Sequence, residues 1–233
     1  MINLRFLLLR FCLLFAALLC GKSAFAQTES PVPVAPFVAK AAKDVQWEVR
    51  LLNPTKPEAG KGVGSTPELV RYRKPDVIKF LEKHWPNGKV TRGWVYGPYL
   101  LEEATYDENV IEVKQMGLTT GTSDYRQSDF PEISWVSIKN FKGVQEIKGV
   151  QCFRYEREFI ALEDDVQRAP EHRAEPSSSR SNEIAMISTE TKLPVVHQQG
   201  SNTFEYKFGA GAGEIPSPSA KVEELAKSLS VLR

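Results

Sequence analysis

The chain has 233 residues, with 30 basic and 29 acidic side chains and a formal charge of +1. Residues 1–26 hold three of the basic side chains and no acidic one, so the rest of the chain carries a charge near −2. This near-neutral balance excludes a general nucleic-acid binder, which would present a basic stripe. About 207 residues after position 26 suffice for one domain with its own hydrophobic core.

The first 26 residues have the pattern of a secretory signal peptide. Arg5 and Arg10 supply positive charge, residues 7–19 are mainly apolar, and Ala24-Phe25-Ala26 has the small-x-small form that signal peptidase cuts. We predict cleavage after Ala26 and export to the periplasm or the exterior. The cleaved protein would then not be integral to a membrane.

Two alternatives for this segment remain open. A membrane anchor needs about twenty apolar residues, whereas Gly21, Lys22 and Ser23 end the apolar run early. Cys20 could carry a lipid, although lipoproteins usually have a small residue before that cysteine and Leu19 stands here.

Cleavage would leave Cys152 as the only cysteine, because Cys12 and Cys20 lie in the signal peptide. No intramolecular disulfide is then possible, so stability must come from packing. Cys152 lies in the strand-like run 150–155, which favours a buried small hydrophobic side chain. A reactive thiol or an intermolecular bridge is the alternative.

Alternating apolar residues predict short antiparallel strands over the first half of the mature chain. After a flexible Pro-rich linker at 27–43, Val45, Trp47, Val49 and Leu51 share one face of a strand. Asn87-Gly88 predicts a hairpin turn between strands at 76–85 and 89–96, although a helix fits 76–85 as well. Two further strands are expected at 99–104 and 110–115.

The second half repeats this pattern and ends differently. Asp129 is expected to cap a short helical turn that contains Pro131. A polar, Ser- and Pro-rich stretch at 163–183 predicts a mobile loop. Val222, Leu225, Ala226 and Leu229 fall on one side of a predicted amphipathic helix at about 218–231. Further strands are predicted at 149–159, 184–188, 194–198 and 203–208.

These elements predict a mainly β (α+β) fold: one domain at 44–233, built as a curved antiparallel sheet or incomplete barrel with a C-terminal amphipathic helix.

No catalytic residue, metal site or cofactor is predicted. His84, His172 and His197 lack metal-ligand spacing, and His197 is expected to alternate toward solvent. Glu102 and Glu103 are neighbours on a strand, so they point to opposite faces and cannot act together. A catalytic triad assembled from distant positions remains an alternative.

Aromatic residues provide the candidate ligand-binding positions. They concentrate in strand-like or apolar segments, where they either fill a sheet core or line an apolar cavity. The candidates for lining such a cavity are Trp47, Trp94, Trp135, Phe153, Phe204 and Tyr206.

Three stretches resemble secreted bacterial proteins related to the periplasmic lipoprotein-carrier (LolA/LolB-like) superfamily. They are residues 129–135 (DFPEISW), 149–155 (GVQCFRY) and 187–195 (ISTETKLPV). The resemblance spans about residues 44–209 and contains no catalytic motif. It implies a strongly curved antiparallel sheet and, as in several members, binding of acyl chains. The chain departs from the carriers in its long polar loops and low helix content.

The leading hypothesis is therefore an exported, non-enzymatic protein that binds an apolar ligand, such as an acyl chain, on a curved sheet. A protein–protein interaction module of the cell envelope is the second hypothesis. A hydrolase with dispersed catalytic residues is the third.

Overall fold

The computed structural model describes residues 31–54, 66–75, 80–107, 109–116, 128–162 and 178–231. Within these ranges the chain forms eleven strands of one antiparallel sheet, followed by one α-helix. The strands are β1 (Val45–Leu51), β2 (Leu69–Lys74), β3 (Phe80–His84), β4 (Val90–Tyr96), β5 (Tyr99–Glu103), β6 (Ile111–Gln115), β7 (Phe141–Ile147), β8 (Val150–Leu162), β9 (Ser178–Ser188), β10 (Pro194–Gln199) and β11 (Asn202–Ala210), and the helix is α1 (Ala220–Val231).

The strand order is β6-β5-β4-β3-β2-β1-β11-β10-β9-β8-β7. Two meanders, β1 to β6 and β7 to β11, are thus joined by pairing of the first strand with the last, from Val45 opposite Ala210 to Leu51 opposite Phe204. The sheet is curved and unclosed, with β6 and β7 at the two edges of the described structure. This arrangement confirms the predicted fold class.

The hairpin predicted at Asn87-Gly88 is present. The Trp85 N–H donates to the Lys89 carbonyl at 2.9 Å, and Gly88 has a φ of 79°. Glycine adopts this conformation without the steric cost that a Cβ would add. The helical alternative for residues 80–84 is wrong, because they form β3 and pair with β4.

Register assigns the side chains to two faces of the sheet. We call the face that carries Trp47 the first face and the face that carries Trp94 the second face. The main core lies on the first face, under residues 33–41 and two short 3-10 turns at Pro131–Ile133 and Ile138–Asn140. Helix α1 packs on the second face, where Val222 is fully buried against Phe80, Trp94 and Leu101.

Residues 31–43 pack more closely than the linker prediction suggests. Phe37 and Val38 contact the first-face core, and the Ala39 N–H donates to the Lys192 carbonyl at 2.9 Å. The prolines signal an extended backbone, but they do not reveal that the apolar pair directly after Pro36 can reach the core.

Strand β9 begins at Ser178, so its first six residues belong to the stretch 163–183 that the sequence predicts as a mobile loop. Ser178 pairs with Leu162, and the register continues to Ser188 opposite Cys152. Backbone pairing with β8 satisfies these residues whatever the polarity of their side chains. Residues 163–177, with Asp164, Asp165 and His172, lie outside the described residues, as do the predicted signal peptide and residues 55–65 and 117–127.

Asp129 does not cap the turn that follows it. The turn at Pro131–Ile133 begins after Phe130 and has no side-chain cap. The Asp129 carboxylate instead accepts the Ala41 N–H at 2.8 Å and the Lys74 ammonium at 2.7 Å. Burial favours this arrangement, because a buried carboxylate requires a charged partner.

Candidate functional site

Strand register assigns five of the six aromatic candidates to a face of the sheet, and Trp135, which lies outside the strands, packs against the first-face core. Phe204 and Tyr206 lie opposite Leu51 and Val49, so they share the first face with Trp47. The pairing of β8 with β9, and of β9 with β10, places Phe153 on this face as well. Trp94 is the one candidate of the six on the second face. Its neighbour Gly93 stands opposite Leu81, and Leu81 stands opposite Tyr72 on the first face, so Trp94 points to the other side.

The first-face candidates form the hydrophobic core. Trp47 stacks on Tyr72 with ring centroids 5.0 Å apart and an interplanar angle of 10°. Phe130 packs obliquely on Trp47 and edge-on against Tyr206. Such mutual contacts are typical of a packed interior. Trp47, Phe153 and Tyr206 are therefore core residues, with Phe204 and Trp135 packed at the margin.

The second face holds an apolar pocket between β4, β5 and the helix. Its volume is about 580 Å³, within the range typical of small-molecule sites. Strand β4 with the turn after it and the first residue of β5, the segment 215–218 and helix α1 all contribute to its lining. The lining residues are Trp94, Val95, Tyr96, Gly97, Tyr99, Ile215, Pro216, Ser217, Pro218, Ala226 and Leu229.

The polar groups that line this pocket are uncharged. The Trp94 indole N–H donates to the Pro216 carbonyl at 3.2 Å. Burial raises the pKa of the Tyr96 phenol, and the carboxylate of Glu223 raises it further, so the phenol stays neutral at physiological pH. The pocket therefore offers apolar surface with neutral hydroxyl groups.

A smaller, polar cavity of about 280 Å³ lies across β1 and β2. It is lined by Gln46, Trp47, Glu48, Arg71, Tyr72 and Arg73. Gln46, Glu48, Arg71 and Arg73 belong to the second face, the face that carries the apolar pocket. The cavity therefore places polar side chains on the same side of the sheet as the apolar pocket.

His197 is buried, and the prediction that it faces solvent is wrong. Its Nε2 lies 2.9 Å from the Glu183 carboxylate, and its ring stacks on Phe204. The Arg157 guanidinium also binds Glu183 and lies over the Trp135 ring at 4.8 Å. The alternating pattern correctly places His197 in a strand, but it does not show that the face of the strand carrying His197 is the buried one.

Electrostatic partners keep Glu183 ionised. Burial opposes ionisation, but hydrogen bonds from His197 and Arg157 outweigh it and lower the pKa of Glu183. Glu132 behaves differently: burial raises its pKa, and the hydrogen bond from the Tyr206 hydroxyl at 2.5 Å only partly offsets this. The ionised form is therefore favoured at Glu183 and disfavoured at Glu132.

Glu102 and Glu103 diverge as the strand geometry predicts. Glu102 is buried on the first face and bound by Lys83 and Lys114. Burial opposes ionisation of Glu102, but the two ammonium groups lower its pKa overall. Glu103, on the second face, accepts the backbone N–H of Arg92 at 2.9 Å.

Cys152 is buried, as expected for a core strand residue. Burial raises the pKa of its thiol, so the thiol stays protonated and is a poor nucleophile. Across the described ranges, no three His, Cys, Asp or Glu side chains cluster as metal ligands. No helix within those ranges is long and apolar enough to cross a membrane.

The sequence identified one pocket residue, Trp94, and missed the rest. Tyr96 could have been found, because it alternates with Trp94 along the same strand. Ile215, Pro216 and Leu229 join the pocket only through the packing of α1, and no pattern in the sequence states which face the helix covers.

Comparison with known proteins gave little to add to this geometry. No protein-family model matches the chain. No curated protein matches it in sequence. The solved structure of LprF from Mycobacterium bovis matches with a TM-score of 0.32 and 9% identity, over 75% of this chain and 88% of that one. So distant a likeness carries no argument about the ligand.

Proposed function

We propose that this chain is an exported, non-enzymatic protein that binds an apolar small molecule, such as an acyl chain, between α1 and the second face of the sheet. The observation that carries the proposal is the apolar pocket of about 580 Å³, which is lined in part by Trp94. Removing an alkyl chain from water contributes about 0.8 kcal/mol for each buried methylene.

The construction of the pocket supports a ligand of this kind. The Trp94 indole N–H is already engaged by the Pro216 carbonyl, and none of the described residues that line the pocket is charged, so it binds a ligand chiefly through apolar surface. One wall is the helix, which contacts the sheet through few large residues, chiefly Val222, Leu225 and Leu229. A wall attached in this way can shift to admit a chain.

A pocket-filling variant tests the proposal. Ala226 lines the pocket from α1 and is half-buried. Ala226→Trp should fill it and weaken binding of a fluorescent fatty acid about tenfold or more. Glu224→Trp is the matched control, because it adds the same side chain to an exposed position of the same helix. Equal affinity of both variants and the wild type, or no binding by any of them, would refute the proposal.

A second candidate function is a protein–protein interaction module of the cell envelope. It is favoured by β7, which is an edge strand of the described sheet and can pair with a strand of a partner. Gln145→Pro would interrupt that edge. Loss of a stoichiometric partner in this variant, with fatty-acid binding absent from the wild type, would support the second candidate.

A further inference from the structure

One row of cross-strand neighbours on the second face changes from apolar to polar. Leu101, Trp94, Phe80, Arg73 and Gln46 stand opposite one another in β5, β4, β3, β2 and β1. Neighbouring strands lie about 4.8 Å apart, so Arg73 is roughly 10 Å from Trp94 along this row. The apolar pocket lies at the Trp94 end and the polar cavity of about 280 Å³ at the Arg73 end.

Arg73 is held in place at the polar end. Its guanidinium lies 5.5 Å from the centre of the Phe80 ring, and Phe80 packs edge-on against Trp94. One N–H of the guanidinium donates to the Glu214 carbonyl at 2.6 Å. Because Glu214 immediately precedes Ile215, this bond connects Arg73 to the segment that lines the apolar pocket.

Arg73 differs from the other arginines of this face in its ionic partners. Arg71 pairs with Glu48 and Glu82, and Arg92 also faces Glu82. Within the part of the chain that the structure describes, Arg73 has no carboxylate within ion-pair distance. Its charge is therefore available to an anion beside the pocket.

The end of the row carries a second polar donor. Gln46 stands opposite Gly209, and its side chain lies over this glycine, since a Cβ built there would be 3.6 Å from Cγ and Nε2 of Gln46. Gln46 and Arg73 together provide amide and guanidinium donors for a headgroup.

We infer that the ligand is an anionic amphiphile, with its apolar chain in the pocket that Trp94 lines and its anionic group bound by Arg73. This inference rests on the proposed function and adds the chemical class of the ligand. Both a carboxylate and a phosphate monoester present the oxygen pairs that guanidinium groups bind in bidentate fashion.

Calorimetric titration with three ligands of equal chain length tests the inference. Dodecanoate, dodecyl phosphate and dodecanol share the chain and differ in the headgroup, and each is used below the concentration at which it aggregates. The variants are Arg73→Gln, which removes the charge, and Arg73→Lys, which restores it as a point charge. Arg154→Gln on β8 is the control, five strands away from β2.

The wild type should bind at least one anionic ligand about tenfold more tightly than dodecanol. Arg73→Gln should abolish this preference and leave the affinity for dodecanol unchanged. Arg73→Lys should restore part of the preference, and Arg154→Gln should retain all of it. Whichever anion binds more tightly identifies a carboxylate or a phosphate as the natural headgroup.

The negative results are distinct. Equal affinity for all three ligands, unaffected by Arg73→Gln, would overturn the headgroup assignment and leave the apolar pocket in place. Failure of dodecanol and of both anions to bind would overturn the proposed function itself.

Discussion

The Lys74–Asp129 ion pair should be one of the most sensitive points of the fold. Both side chains are buried, and their charged atoms are 2.7 Å apart. Asp129 also accepts the Ala41 N–H, and Lys74 donates to the Ala41 carbonyl at 2.9 Å. Three segments distant in sequence therefore meet at this pair: residues 33–41, strand β2 and the turn after residue 128.

The substitution Asp129→Asn removes the charge and keeps the shape. The amide oxygen can still accept the Ala41 N–H, but the Lys74 ammonium would remain buried without a counter-charge. Leaving one member of a buried pair uncompensated costs about 3–5 kcal/mol. That is a large part of the roughly 5–15 kcal/mol by which a domain is stable.

Equilibrium unfolding in urea at neutral pH measures the effect. Asp129→Asn should lower the free energy of unfolding by about 3–5 kcal/mol with an unchanged slope. The double variant Lys74→Met/Asp129→Asn should recover at least about 1 kcal/mol, because no unpaired charge remains. A loss below about 1 kcal/mol in the single variant, or no recovery in the double variant, would refute the reasoning.

Three further substitutions have defined outcomes. Glu183→Gln should destabilise most above pH 4.5, the ordinary pKa of Glu183, and progressively less as the pH falls below it, because the folded state lowers that pKa. Cys152→Ser should cost about 1–3 kcal/mol and leave ligand binding intact, since it buries a hydroxyl in an apolar site. Gly93→Ala should cost about 1–3 kcal/mol, because its Cβ would lie 3.1 Å from side-chain carbons of Leu81 and Leu100.

Urea unfolding checks all three variants, and each has a contradicting result. For Glu183→Gln it is a difference from the wild type that stays constant from pH 7 to pH 3. For Cys152→Ser it is lost binding at unchanged stability, which would indicate a reactive thiol. For Gly93→Ala it is wild-type stability, which would mean that the two leucine side chains move aside at no cost.

Local patterns in the sequence predicted nine of the eleven described strands and the helix, and they missed β2 and β7. The alternation of Val45, Trp47, Val49 and Leu51 defines both a strand and its buried face, because all the apolar residues of this segment lie on one side of the strand. Asn87-Gly88 likewise defines a hairpin, since few residues adopt the backbone conformation that the turn requires.

Features that depend on tertiary packing could not be predicted. The correct face of His197 requires knowing that Glu183 and Phe204 flank it from neighbouring strands. The separation of Trp94 from the other aromatic candidates depends on register across β2 to β4. The pocket depends on helix α1 crossing the second face, where its apolar stripe meets Phe80, Trp94 and Leu101.

Quenching of tryptophan fluorescence by a chain-brominated fatty acid tests the central claim most directly, because bromine quenches only rings close to it. The protein has four tryptophans, Trp47, Trp85, Trp94 and Trp135. A chain bound between α1 and the sheet should quench the wild type and Trp135→Phe alike, and Trp94→Phe should lose most of the quenching. Quenching that persists in Trp94→Phe and disappears in Trp135→Phe would place the ligand on the first face and contradict the account.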